Sequence, residues 1–176
     1  MISVASGVAL LGLAACSPGK APGGQPGGGE PATTSANAGA PGLKDFDPCA
    51  FFTSADLSAA GVGGQGEKIE QLKFEPGCSY EGEDRLVTLY KNEQETVGKY
   101  QTDGKWDSYE RFNLNGRNAA HAVAAGSSGR GICSVLVDAG GGVVQIKVSG
   151  ITKNDVPDPC GEAEKVARQV ESRLPQ

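Results

Sequence analysis

The chain is poor in the residues that most often carry chemistry. It has one histidine, one tryptophan and one methionine in 176 residues, and its formal net charge is -5. Lys20 and Lys44 cancel Glu30 and Asp45 near the N-terminus, so the negative excess belongs to residues 46–176. Neutralising phosphates requires a basic surface, and none is present to hold nucleic acid. His121 has no second histidine beside it, and the cysteines include no C-x-x-C pair, so neither a metal site nor a cofactor is expected. The G-x-S-x-G pattern of a nucleophile elbow is missing. Residues 126–131, GSSGRG, lack the Gly-Lys-Ser/Thr ending that gives a phosphate loop its lysine and metal-binding hydroxyl.

The apolar run at residues 2–15, ISVASGVALLGLAA, is shorter than the roughly 20 residues a membrane span needs. It ends in Leu13-Ala14-Ala15-Cys16, a lipobox-like tetrad, and reads as an export signal over residues 1–15. Cys16 would then be the lipidation site, carrying diacylglycerol and, with an added acyl chain such as palmitate, anchoring the chain stably. No Lys or Arg precedes the run, which suggests a true start upstream of Met1. Residues 17–45 are dominated by Gly, Pro, Ala, Ser and Thr, with Leu43 the one large aliphatic side chain. Such a segment buries too little surface to offset ordering entropy, so residues 16–45 read as a lipidated cysteine and a disordered tether.

Residues 46–176 then form one domain. Lipidation of Cys16 leaves Cys49, Cys78, Cys133 and Cys160, an even set that outside the cytoplasm predicts two disulfides. Asp-Pro-Cys occurs twice, at 47–49 and 158–160, each time as a helix start: Asp caps, and Pro lacks the N–H that would go unpaired. The second start leads into an apolar stripe of Ala163, Val166, Ala167, Val170 and Leu174. The first is followed by Thr53 and Asp56, an acidic capping box for a helix ending at Gly61, with Phe52 and Leu57 as its staple. Residues 85–91, 131–138 and 142–150 read as strands, the last two joined as a hairpin; 68–74, 78–82 and 118–124 are weaker candidates. Helices at both ends and strands between them predict an α+β domain with an antiparallel sheet, packed by N- and C-terminal helices and stapled by disulfides. Three cysteine pairings are possible. Placing both Asp-Pro-Cys cysteines on helices and the other two on strands favours Cys49 with Cys160 and Cys78 with Cys133. The rival joins Cys49 to Cys78 and Cys133 to Cys160.

These features resemble the actinobacterial lipoproteins of Domain of Unknown Function 3558. The resemblance rests on the lipobox, the spacer, Asp47-Pro48-Cys49, Thr53 to Gly61, Cys78-Ser79-Tyr80, Gly116 to Ala119, Cys133, Asp158-Pro159-Cys160 and Leu174-Pro175. Tyr80 stands where such proteins often have Trp. The resemblance implies a cell-envelope lipoprotein on the extracytoplasmic face of the cell membrane, and it transfers no catalytic residue.

Two surfaces invite function. Trp106, Tyr109 and Phe112, with Arg111, combine aromatic and basic side chains in the way contact surfaces do. Their spacing suits one face of a short helix lying on the sheet, and packing is the favoured explanation. His121 near Ser127 or Ser128 offers a hydrolase-like alternative, without an acidic residue placed by sequence to orient it. The reading adopted is a membrane-tethered, non-enzymatic binding module for an envelope protein, peptidoglycan or a small ligand.

Overall fold

The computed structural model describes residues 42–103 and 105–176. Cys16, the signal segment and most of the tether lie outside the described residues.

Each Asp-Pro-Cys opens a helix by the local chemistry expected of it. Asp47 accepts the Cys49 amide at 2.9 Å ahead of α1 (Pro48–Phe51), and Asp158 accepts the Gly161 amide at 2.9 Å ahead of α4 (Pro159–Val170). Thr53 and Asp56 close a reciprocal capping box on α2 (Ser54–Ala59). Between α2 and α4 the chain forms β1 (Gly63–Ile69), β2 (Gly77–Glu81), β3 (Arg85–Asn92), β4 (Trp106–Leu114), β5 (Arg117–Ala124), β6 (Ile132–Ala139) and β7 (Gly142–Gly150). A short helix, α3 (Val97–Asp103), links β3 to β4. All seven strands join one antiparallel sheet in the order β1-β2-β3-β7-β6-β5-β4. The fold is α+β, as expected.

The sheet has two unlike faces. Cross-strand register puts Leu89, Ile146 and Val135 in one row and Val87, Val148 and Cys133 in the next, and α4 lays Ala163, Val166, Ala167 and Val170 over them. This is the main core. On the reverse face Val97 of α3 packs with Ala120, Ala122, Leu136 and Val143, flanked by Tyr100, Trp106 and Tyr109. That smaller cluster covers only one part of the face.

Four expectations need correction. The disulfides join Cys49 to Cys78 and Cys133 to Cys160, with Cα separations of 5.1 and 5.0 Å. Topology explains why the favoured pairing fails. Cys78 on β2 and Cys133 on β6 share a face, but β3 and β7 run between their strands. Three strand spacings amount to roughly 14 Å, twice the reach of a disulfide. Each helix cysteine instead meets the strand beneath it.

Residues 106–112 are strand rather than helix. Ordinary alternation would put Trp106 and Tyr109 on opposite faces, but a register shift between Trp106 and Ser108 brings them together. Phe112 follows without a shift and points to the α4 side, where its ring stacks on His121 at 4.6 Å. The first strand lies at 63–69 instead of 68–74, and residues 70–76 form the loop after it. The folded region also starts earlier than residue 46: Leu43 is 1% exposed, its amide bonds the Gly140 carbonyl, and Lys91 Nζ donates to the Leu43 and Lys44 carbonyls.

Candidate functional site

The reverse face is where side chains remain available. Register aligns Ser79, Thr88, Lys147, Ser134 and Ala122 across the sheet, with Tyr90, Gln145 and Leu136 in the adjoining row. From these rows Tyr90, Gln145, Lys147, Ser134 and Ala122 line a groove of about 230 Å3. Gln145 Nε2 donates to Ser134 Oγ at 2.8 Å, and Lys147 Nζ donates to the Tyr90 hydroxyl at 3.2 Å. Trp106 makes one wall, and the 70–76 loop, with Leu72 and Glu75, makes the other. Leu72 and Phe74 on that loop are 48% and 53% exposed; among the described residues, Ile151 is the other large apolar side chain so exposed.

The wall is held by aromatic side chains that spend their polar atoms on α3 and the loop. Trp106 Nε1 donates to the Tyr100 carbonyl at 2.6 Å, and the Tyr109 hydroxyl donates to the Val97 carbonyl at 2.6 Å. Trp106 contacts both tyrosine rings, at 6.1 and 5.4 Å between centroids. The Tyr100 hydroxyl donates to Glu75 Oε1 at 2.5 Å and accepts from Asn92 Nδ2 at 3.0 Å, tying loop, helix and β3 together. Burial, with Glu75 alongside, raises the Tyr100 phenol well above its ordinary range. Burial also pushes Tyr109 up to about 12, with Arg111 opposing and Asp138 adding. Both phenols thus stay neutral donors at any physiological pH.

The sequence-derived contact set is therefore divided. Trp106 and Tyr109 share the reverse face, Arg111 is exposed on it, and Phe112 belongs to the opposite side. Lys147, Gln145, Ser134, Tyr90 and Glu75 were missed. Strand alternation on β7 puts Gln145 and Lys147 on the face opposite Ile146, but nothing in the sequence says which strands flank them.

His121 has an acidic neighbour that sequence did not reveal. Its Nε2 lies 2.8 Å from Glu164 Oε2 on α4, and Glu164 also takes Arg168 at 2.6 Å. The His121 contact is short but poorly aimed, so Nε2 is buried without a hydrogen bond of good geometry. Ser134 follows the opposite parity from Val135, the register partner of His121, and so faces away from the imidazole. Ser128 sits in the β5–β6 turn, where its amide donates to Asp107 at 2.9 Å. That turn is a nest of backbone amides, as a phosphate loop would be, but a carboxylate of the chain itself fills it. The Ser128 and Gly126 amides lower the Asp107 carboxyl below its ordinary value.

Two cavities of about twice the groove's volume offer less chemistry. One, of about 450 Å3, lies between Phe46, Phe51 and the 172–176 segment. Its Arg173 is already engaged by Asp56 at 2.6 Å and by the Phe51 carbonyl and ring. The other, of about 470 Å3, is a trough beside Cys49 and Gly66 with Ser54 and Gln65 as polar lining. A side chain at Gly66 would collide with Cys78 Sγ, so this wall exists to let β1 cross the disulfide.

Among the described residues, no group of three His, Cys, Asp or Glu side chains is placed to hold a metal, and no helix is long and apolar enough to cross a membrane. No curated protein and no solved structure matches the chain. The family model described as "Protein of unknown function (DUF3558)" matches residues 11–173, and the chain belongs to that family.

Proposed function

We propose that the protein is a lipid-anchored, extracytoplasmic binding module of the cell envelope that takes its ligand in the groove on the reverse face of the sheet. The observation that carries this reading is the contrast within β7: Ile146 and its neighbours are consumed by packing under α4, while Gln145 and Lys147 floor a groove bordered by Trp106. A largely preformed pocket with apolar walls and a few convergent polar groups is the usual form of a small-ligand site. Anchoring rests on the Leu13–Cys16 tetrad and the Gly/Pro-rich stretch after it.

A hydrolase using His121 draws support from Glu164, which stands where an orienting carboxylate would. Among the described residues, no serine hydroxyl is hydrogen-bonded to His121 Nε2. Ser134 faces the other side of the sheet, and the Ser128 amide is held at Asp107.

Native mass spectrometry of the protein gently extracted from membranes tests the choice. A bound species is expected on the wild-type chain and on His121→Ala, and is expected to be lost from the double variant Ser134→Ala, Gln145→Ala. Retention in the double variant with loss in His121→Ala would overturn the proposal.

A further inference from the structure

On the reading that the groove is a binding site, its chemistry narrows what it holds. The one indole at its wall has already committed its N–H to the Tyr100 carbonyl, and its ring lies tilted against those of Tyr100 and Tyr109. With that N–H taken, the indole offers the groove aromatic surface without a donor. A π face offers no donor, and its partial negative charge attracts polarised C–H groups such as those on one side of a pyranose ring.

The floor supplies the complementary chemistry. The Gln145 side-chain carbonyl, the Ser134 hydroxyl and the Lys147 ammonium mix acceptors and donors on neighbouring strands, and Glu75 adds the carboxylate oxygen that Tyr100 does not take. Lys147 and Glu75 cancel in charge, so the groove selects neither an anion nor a cation. At about 230 Å3 it is smaller than sites that enclose drug-sized molecules, and it suits one ring with its neighbours projecting along the sheet. A peptide added as a strand would need a free sheet edge, whereas β7 and β6 are interior strands. An acyl chain would need a floor without Gln145, Ser134 and Lys147.

We infer that the groove binds a neutral sugar residue, stacked on Trp106 and hydrogen-bonded by Gln145, Ser134 and Lys147.

Because the chain has one tryptophan, its emission reports directly on this wall. The full chain is titrated with maltotriose, mannotriose, cellotriose and chitotriose, and in parallel with oleate and trialanine. At least one trisaccharide is expected to shift Trp106 emission saturably. Gln145→Ala should weaken that binding at least tenfold, and Ile151→Ala, an exposed substitution outside the groove, should leave it unchanged; circular dichroism checks that both variants fold. Competition by the active trisaccharide against purified envelope polysaccharide then separates a wall-borne sugar from a free one. If only oleate or trialanine shifts the emission and Gln145→Ala abolishes that response, the sugar assignment falls and the groove stands as a site for another ligand. If no probe shifts it, or if Gln145→Ala leaves the sugar response intact, both the assignment and the groove fall.

Discussion

The two faces of the sheet use the same strands for opposite ends. On the α4 side, side chains from β3, β7 and β6 meet the helix stripe and both disulfides, and almost every group there is spent on packing. On the reverse side α3 is only seven residues long, and it packs over Val143, Leu136, Ala120 and Ala122 but leaves Gln145 and Lys147 only partly buried. A domain of this size has one face that must carry its stability. The other is then free to bear polar groups whose arrangement serves something else.

The sharpest way to break the stabilising face is to remove its staples. Each disulfide closes a loop of fewer than 30 residues, with separations of 29 and 27. Chain entropy assigns each about 3.5 kcal/mol, so Cys133→Ser with Cys160→Ser should lower unfolding free energy in urea by about that amount. Peptide mapping without reduction should recover Cys49 linked to Cys78.

Adjacent residues of β7 give the next contrast. Ile146→Ala empties a fully buried site under α4 and should cost about 3 kcal/mol. Gln145→Ala, one residue away on the other face, should cost no more than about 1 kcal/mol while removing ligand binding. Equal losses of stability from the two would erase the distinction between the faces.

Acid probes the stabilising side more gently. Burial works to raise the Asp56 carboxyl, but hydrogen bonds from Thr53, Arg173 and Gln169 outweigh it and bring it from 3.8 down to about 2. A carboxylate lowered on folding contributes stability that is complete above its unfolded value and is lost as pH falls through its folded value. That contribution, on the order of 2 kcal/mol, should therefore vanish between about pH 4 and pH 2, and Asp56→Asn should flatten the decline. The smallest expected effect is at the β5–β6 turn. Asp107→Ala should free the amides of Gly126 and Ser128, raising their hydrogen exchange with little change in global stability.

Much of the stabilising side was legible in the sequence because its signals are local. Asp47, Asp158 and Thr53 cap the helices they precede, and the α4 stripe and the β6–β7 hairpin follow from spacing alone. The rest depends on strand order. Pairing Cys78 with Cys133 looks reasonable until two strands stand between them, and Glu164 meets His121 only because α4 crosses the sheet. The bulge before Ser108 misled more subtly. By restoring Trp106 to the side of Tyr109, it gives a strand the three-residue spacing of a helix. The composition around Leu43 reads as tether, yet its buried side chain and the bonds from Leu43 to Gly140 and from Lys91 to residues 43 and 44 tie the chain to the domain there. The groove was hidden for the same reason as the disulfides: Gln145, Ser134 and Trp106 lie on three strands whose adjacency is a property of the sheet.

Lysine acetylation footprinting compares the two faces within one sample. Lys147 lies in the groove and Lys165 on the solvent side of α4. In protein extracted with its bound species, Lys147 is predicted to react more slowly than in the stripped protein, with Lys165 unchanged. Protection of Lys165 with none at Lys147 would contradict the assignment of function to the reverse face.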